Sequence, residues 1–200
     1  MLEVKETRRE RSHMSTPARP LRRDAQRNHD LLVQAARDVF AAKGLDAPLD
    51  EIARRAGVSP GTLYHRFATR AALIEAAMQE HVEQAVAIAQ EAYDNEDPWQ
   101  GLDFLMTRVI AFQAADRGVC EAIGERRFPR GSPIGRLRKQ YDHLAGLVID
   151  RAKDARQLRA DFGVDDLAAL VIGAAYAIRS SSARTTLQRQ LDLLQNGIRG

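Results

Sequence analysis

The chain has 200 residues, of which 44% are hydrophobic and 28% charged, and its formal net charge is +3. This composition is ordinary for a globular chain and excludes disorder throughout. A single cysteine, Cys120, excludes an intramolecular disulfide and a cysteine metal cluster. No apolar run reaches the length of a membrane span, and the charged start does not resemble a signal peptide, so we expect a cytoplasmic protein that does not enter a membrane.

The first 23 residues are predicted to form a flexible basic arm. They are polar and contain Pro17 and Pro20, and eight lysine or arginine residues fall within the first 27 positions. Such an arm fits an anionic partner such as DNA, although many basic arms are only solvated tails. The tripeptide Ser12-His13-Met14 resembles the scar that a cloning site leaves before an initiator methionine, so residues 1–13 are either vector-derived or native.

The remainder of the chain has the periodicity of helices. Apolar residues recur three and four positions apart, and no segment alternates cleanly over the length of a half-buried strand. The sequence therefore predicts an all-α fold of about nine helices. The predicted helices are 24–43, a short one after Pro48, 60–67, 70–93, 98–115, 117–125, 133–156, 164–181 and 183–198.

Two short helices on either side of Gly57-Val58-Ser59 form the most informative region. Gly57 suits a turn that a Cβ would disfavour, and Ser59 is placed to cap a helix that opens with Pro60. Two short helices joined by a turn of this kind are typical of the helix-turn-helix arrangement, which presents its second helix to the major groove of DNA. A helical hairpin without a nucleic-acid role remains the alternative at this point.

The second short helix offers the candidate contacts to bases and phosphates. Leu63 and Phe67 lie four positions apart and are expected to point into the core, which leaves the opposite face and the first N–H groups for DNA. The candidate residues on this face are Ser59, Pro60, Gly61, Thr62, Tyr64 and His65.

The segment from Asp50 to Phe67, DEIARRAGVSPGTLYHRF, continued by TRAAL from Thr69 to Leu73, resembles the DNA-binding signature of the TetR family of transcription regulators. The resemblance extends over about residues 24 to 75. It implies that Thr62, Tyr64 and His65 face the groove and the flanking phosphates, with backbone contacts from Ser59 and Gly61.

The same resemblance assigns several arginines to the DNA backbone. Arg70 stands where the family usually has lysine and would bind a phosphate. Arg22, Arg23 and Arg27 would add phosphate or minor-groove contacts. Two positions depart from the family pattern: Pro48 replaces a frequent threonine, and Arg66 replaces a frequent histidine or tyrosine and adds a positive charge near the DNA face.

The resemblance divides the chain after residue 69. Residues 24–69 would form the helix-turn-helix DNA-binding domain. Residues 70–200 would form a ligand-binding and dimerisation domain that begins with the connecting helix 70–93. A pocket is expected between the fourth and eighth helices, lined by large apolar groups and a few polar ones. Its candidate residues are His81, Phe104, Arg108, Phe112, Tyr141, His143 and Tyr176.

Apolar stripes on the last two helices predict a dimer interface. Two helices from each chain could pair across a two-fold axis as a four-helix bundle. The alternative is that both stripes close the core of their own chain. The candidate interface residues are Leu167, Leu170, Val171, Ala174, Leu187, Leu191 and Leu194.

These observations imply a ligand-responsive transcription regulator. We expect it to be a repressor, because repression is the usual mode of the family that it resembles. We expect it to bind a palindromic double-stranded operator as a homodimer and to be released by a small-molecule effector, with no cofactor or metal. It is not expected to be an enzyme, because the sequence has no His-Glu-x-x-His pair, no phosphate-binding glycine loop and no nucleophile elbow. The alternatives are a sequence-tolerant DNA-binding protein without an effector and a helical-bundle enzyme.

Overall fold

The computed structural model of the chain describes residues 19–124, 131–180 and 185–199, and the side chains of 19–22, 120, 122–124, 185–188, 190, 194 and 195 lie outside this description. Within these ranges every regular element is a helix, apart from an isolated antiparallel bridge between Leu158 and Arg199. The all-α prediction is confirmed. The helices are α1 (Arg19–Lys43), α2 (Leu49–Ala56), α3 (Pro60–Arg66), α4 (Arg70–Asp94), α5 (Pro98–Ala115), α6 (Arg117–Gly124), α7 (Pro133–Asp154), α8 (Val164–Ser180) and α9 (Thr185–Ile198).

Helix starts coincide with capping side chains. A side-chain oxygen at the N-cap accepts a hydrogen bond from a backbone N–H of the first turn, which would otherwise lack a partner. Because such residues can be recognised in a sequence, the predicted starts of α3, α4, α5 and α7 are confirmed. The caps are Ser59 for α3, Thr69 for α4, Asp97 for α5 and Ser132 for α7.

The start of α1 differs from the prediction. The helix begins at Arg19, whereas the sequence analysis placed its start at Asp24 and assigned the preceding residues to the arm. Pro20 occupies the second position of the helix, where an N–H would have no intrahelical partner, so the proline does not interrupt it. The arm prediction was therefore wrong for residues 19–23, and residues 1–18 lie outside the described ranges.

Two buried clusters divide the molecule into a head and a body. The head consists of residues 19–82, which include α1, α2, α3 and the first half of α4, and the body consists of the described residues after position 82. The head core includes Phe40, Ile52 and Leu63, and it continues along α4 as far as Val82. The second half of α4 packs instead with α5, α7, α8 and α9 in the body core. Thr69 is thus the N-cap that begins α4, and by packing α4 belongs to both cores.

Candidate nucleic-acid interface

The turn between α2 and α3 is set by Gly57. This residue has φ 70° and ψ 26°, in the left-handed region that glycine adopts without the strain of a Cβ. The Gly57 N–H donates to the carbonyl oxygen of Arg54 at 3.2 Å, and the Val58 N–H donates to that of Ala53 at 3.0 Å. These two bonds form a Schellman motif that ends α2 and directs the chain into α3.

Ser59 starts α3 by capping it. Its Oγ accepts from the backbone N–H of Thr62 at 3.1 Å and lies 2.9 Å from the Thr62 Oγ1. Both hydroxyl groups therefore have a local partner, and Thr62, which was predicted to face the groove, is only half-exposed. Their first role is to shape the beginning of the helix.

The two sides of α3 differ sharply in burial. Leu63 and Phe67 are 1% and 6% exposed and belong to the head core, as predicted. Pro60, Gly61 and His65 are exposed on the other side, and Tyr64 is 54% exposed. The apolar side of α3 holds the helix in the head core. The other side exposes the ring of Tyr64, the imidazole of His65 and the backbone around Gly61, so these groups are available to a groove of DNA.

Exposed arginines lie on all three helices that precede α4. Arg23 and Arg27 lie exposed on α1, Arg54 on α2 and Arg66 at the end of α3, whereas the side chain of Arg22 lies outside the described part. Cations around a protruding helix are the usual means of contacting phosphates on either side of a groove. Arg54 was not among the predicted contacts, although its place in α2 just before Gly57 was a usable signal.

His29 was also missed. Its Nδ1 accepts a hydrogen bond from Arg66 Nε at 3.2 Å, and its ring stacks on Phe67 with the ring centroids 5.2 Å apart. His29 thus connects α1 to the end of α3 and orients the Arg66 guanidinium. No sequence signal links two residues separated by 37 positions, because the contact depends on how α1 crosses α3.

Arg70 occupies a different environment from the one implied by its sequence position. The side chain is half-buried, and its Nη1 donates to the carbonyl oxygens of Leu45 at 2.9 Å and Ala47 at 2.7 Å. Carbonyl groups in the loop after α1 lack helical partners, so a guanidinium is well suited to satisfy them. The structure gives Arg70 a role in holding this loop.

Two ion pairs join α1 and α2 within the head. Lys43 Nζ lies 2.7 and 2.8 Å from the two carboxylate oxygens of Glu51, and this hydrogen bond holds the pKa of Glu51 below its ordinary value. Arg55 donates through Nε and Nη2 to Asp38 Oδ2 at 2.9 and 2.7 Å. Both pairs connect α2 to α1, so Arg55 differs from its neighbour Arg54 in being committed to a partner within the head.

The predicted pocket residues do not form one lining. His81 and Phe112 contact each other where α4 meets the end of α5, with ring centroids 5.7 Å apart. Phe104 packs against the body core, and the Arg108 guanidinium lies over its ring at 5.7 Å. Tyr141 also packs against the body core, where burial raises the pKa of its phenol, whereas His143 is exposed and Tyr176 is 66% exposed.

Two clefts in the described part of the chain lie between α1 and α4. One, of about 300 Å³, is lined by polar groups that include His81, Asp116 and Arg37. The other, of about 460 Å³, lies nearer to His29. His81 therefore lies at the joint between head and body, outside the body core where the pocket was expected.

The predicted dimer residues lie mostly inside the chain. Leu167, Val171, Ala174 and Leu191 are at most 7% exposed and belong to the body core, and Leu170 packs against it. The side chains of Leu187 and Leu194 lie outside the described residues. The stripe on α8 that was read as a dimer interface therefore closes the core of its own chain, because apolar periodicity marks a buried face without identifying what covers it.

Comparison with protein families agrees with the geometry of the head. Residues 32–77 match the model of bacterial regulatory proteins of the tetR family. Residues 97–200 match the C-terminal domain of SbtR-like transcriptional regulators. Together the two models cover the second part of α1, all of α2 and α3, the first eight residues of α4, and the chain from α5 onward.

Individual relatives cover nearly the whole chain. The HTH-type transcriptional regulator UidR of Escherichia coli K12 is 25% identical over 187 residues, which cover 86% of this chain and 90% of that protein. A TetR transcription regulatory protein from Mycobacterium vanbaalenii has a solved structure that is 31% identical, covers 90% of this chain and 100% of that chain, and has a TM-score of 0.54. A TetR transcriptional regulator from Streptomyces coelicolor is 33% identical, with 86% and 98% covered and a TM-score of 0.56.

Proposed function

The chain belongs to the TetR family of bacterial transcription regulators, and we propose from this premise that it is a repressor that binds a palindromic operator as a homodimer and is released by a small-molecule effector. The family and the relatives are regulators, so the chain is not an enzyme. Its helix-turn-helix binds DNA, and α3 is the recognition helix. We place the protein in the cytoplasm, where its operator would be.

The observation that carries the proposal is the contrast between the two sides of α3. Leu63 anchors the helix in the head core, and Tyr64, the next residue, projects outward with 54% of its surface exposed. Exposed Arg54 lies in the last turn of the preceding helix, α2, and exposed Arg66 is the last residue of α3. This arrangement supports reading of bases by Gly61, Tyr64 and His65, with phosphate contacts from the arginines.

For the homodimer we propose the outward faces of α8 and α9. Ala169, Gly173 and Tyr176 lie four and three positions apart on the exposed side of α8, and Leu193 and Gly197 lie four apart on that of α9. Tyr176 and Leu193 are 66% and 61% exposed, so these faces offer large apolar groups that a second copy could cover. Small residues between them allow helices of a second copy to approach closely. A two-fold pairing of α8 and α9 is thus supported by family membership and by surface chemistry.

The proposed mechanism is a shift between two arrangements of the heads. A dimer reads two half-sites whose centres lie one helical turn of DNA, about 34 to 36 Å, or a multiple apart. An effector releases the protein only if it binds more tightly to the arrangement that does not fit DNA. Because α4 contributes to both cores, its movement in the body would carry the head with it.

DNA selection tests the proposal. Purified protein is incubated with random duplexes at moderate salt, and the bound fraction is recovered and sequenced through several rounds. We expect an inverted repeat, and its positions near genes would identify candidate targets and narrow the class of effector. Recovery of bulk sequence without enrichment would favour the alternative, a sequence-tolerant DNA-binding protein without an effector.

A further inference from the structure

We propose that His29 is a positioning residue for DNA binding: in its neutral form it holds the Arg66 guanidinium where that group meets a DNA phosphate, and protonation of the ring releases it. Operator affinity then depends on the charge of a side chain on α1 that itself need not touch DNA. This effect on DNA rests on the function proposed above, whereas the contact between the two side chains lies within one chain.

The ring of His29 is held in one orientation by the head core. It stacks on Phe67 with the ring centroids 5.2 Å apart and an angle of 28° between the ring planes. Phe67 is 6% exposed, and its backbone N–H donates to the carbonyl oxygen of Leu63, so its own ring is fixed at the end of α3. Nδ1 of His29 accepts a hydrogen bond from Arg66 Nε at 3.2 Å. The stack therefore sets the direction of the lone pair that Arg66 meets.

The hydrogen bond to Arg66 requires a neutral imidazole. A ring nitrogen that accepts a hydrogen bond carries no proton, so the neutral ring of His29 has its proton on Nε2. In an imidazolium both nitrogens are donors, and Nδ1–H would then face the N–H of a guanidinium that is always charged. Protonation of His29 would thus replace a hydrogen bond by a contact between two cations. Histidine is the side chain whose charge ordinarily changes between pH 5 and 8.

The other charged groups near His29 have partners of their own. Those that line the cleft beside the ring are Asp30 and Arg37 on α1 and Glu80 and Glu83 on α4. Arg37 and Glu80 pair with each other, and Asp30 and Glu83 each accept from a glutamine one helical turn away. The hydrogen bond to Arg66 is therefore the contact that carries the charge state of His29 to the DNA-binding face.

Arg66 is placed to bind a phosphate while His29 holds it. It is exposed and is the last residue of α3, at the opposite end of the helix from Pro60 and Gly61. The N-terminal residues of a recognition helix contact the bases, so its last residue is better placed for the sugar–phosphate backbone. His29 occupies Nε, and the N–H donors of Nη1 and Nη2 remain for a phosphate. A guanidinium that is ordered before DNA arrives loses less conformational freedom on binding.

A double-mutant cycle on the selected operator separates positioning from packing. His29→Phe keeps a ring that can stack on Phe67 and removes the acceptor. At about pH 8 we expect this variant to bind the operator about threefold to tenfold more weakly, the range of one net hydrogen bond. In an Arg66→Ala background the same replacement should have no further effect. Additive losses would show that His29 acts through the packing of α1 on α3, which would overturn the proposal.

The pH profile of operator affinity is the second readout. His29→Asn places an amide oxygen near the position of Nδ1 and does not titrate, so at about pH 8 it should restore the affinity that His29→Phe loses. Between about pH 8 and pH 5.5 the parent should lose about twofold to fivefold in affinity relative to His29→Asn. His65 on α3 is present in both proteins, so its own titration cancels in this comparison.

Two results of the pH comparison would overturn the proposal. Parallel profiles for the parent and His29→Asn would show that the charge of His29 does not reach the DNA. A gain in affinity of the parent relative to His29→Asn on acidification would show that the imidazolium binds a phosphate directly. Melting temperatures close to that of the parent establish that the variants compared are folded.

The contact itself is tested in the free full-length protein by nuclear magnetic resonance. The signal of the Arg66 Nε–H group, assigned by its loss in Arg66→Ala, reports how fast this proton exchanges with water. Near neutral pH the exchange should be slower in the parent and in His29→Asn than in His29→Phe. Equal rates in the parent and His29→Phe would overturn the proposal, because the hydrogen bond would then not form. If the unmodified protein selects no operator, the proposed function fails, and the exchange rates still decide whether His29 holds Arg66.

Discussion

Tyr64 on α3 points its aromatic ring into solvent, whereas the preceding residue, Leu63, is buried. The phenol can stack on sugar and methyl groups and can donate to a phosphate or a base edge, which are the contacts that a groove offers. Its position one residue after Leu63 means that its direction is fixed by the head core. The residue is therefore suited to a contact that needs little reorganisation on binding.

Replacement of Tyr64 by alanine should weaken binding to the selected operator by about 1–3 kcal/mol, or about fivefold to 150-fold, because a pre-positioned groove contact is lost. The free energy of unfolding should change by less than about 0.5 kcal/mol, since the side chain is exposed. Fluorescence anisotropy and urea denaturation measure the two effects. Tyr64→Phe is the matched control that separates the ring from the hydroxyl group, and equal affinity in all three proteins would exclude Tyr64 from the interface.

Arg70 is predicted to stabilise the head. Arg70→Ala removes two charge-assisted hydrogen bonds to the carbonyl groups of Leu45 and Ala47, so the free energy of unfolding should fall by about 1.5–3 kcal/mol. Arg54→Ala serves as the control: it should leave stability unchanged and reduce the slope of log affinity against log salt by about one phosphate contact. The reverse result, a stable Arg70→Ala variant with a reduced salt slope, would show that Arg70 binds a phosphate.

The sequence predicted residue types at the interface better than it predicted their partners. Ser59, Leu63 and Phe67 could be assigned from spacing, because capping and burial on a short helix are local properties. The partner of Arg70 lies 23 and 25 positions away in a loop whose path depends on the packing of α1 against α4. The contact between His29 and Arg66 escaped prediction for the same reason.

At the scale of elements, the boundaries of most helices followed from caps, prolines and glycines, because these residues act on the backbone next to them. The start of α1 did not, since Pro20 is compatible with both a loop and a first helical turn. The predicted extensions of α6 to residue 125 and of α9 to residue 183 lie outside the described residues. The stripe on α8 was assigned to the wrong partner because a helix can bury one face within the chain and use another outside it.

Gly57 provides a test of the turn that orients α3. Gly57→Ala should lower the free energy of unfolding by about 1 kcal/mol, because φ 70° is strained for any residue with a Cβ although the site itself has space. Gly146→Ala in the interior of α7 is the control; its Cβ would make an ordinary 3.7 Å contact, and it should raise stability by up to about 1 kcal/mol. Thermal or urea denaturation compares them, and an unchanged Gly57→Ala variant would contradict the strained turn.

At the scale of the whole molecule, the head and the body share α4. The described residues contain no group of three or more metal-binding side chains, and none of their helices has the length and hydrophobicity to cross a membrane. The all-α fold could be predicted because helical periodicity extends over the chain from about residue 24 onward, whereas the predicted division after residue 69 came from the family resemblance. The lining of the proposed effector site could not be predicted, because it depends on how α4, α5, α7 and α8 pack and not on any motif.

A charge introduced on the proposed dimer surface should leave each monomer folded but should prevent two monomers from associating. Leu193→Glu places a carboxylate on an exposed site, so the chain should remain folded while the dimer dissociates, and operator affinity should fall with it. Sedimentation equilibrium and circular dichroism measure association and folding. Gln140→Glu, at an exposed position on α7, is the control, and a Leu193→Glu variant that remains dimeric would move the interface to another face.

The most direct test of the regulator assignment is the ratio of affinities for two duplexes, the selected inverted repeat and the same repeat with both half-sites scrambled at constant composition. We expect the repeat to bind at least about a thousandfold more tightly at physiological salt, with two chains on each repeat. Equal affinity for the two duplexes would contradict the central claim, because binding would then come only from the charge of the DNA backbone.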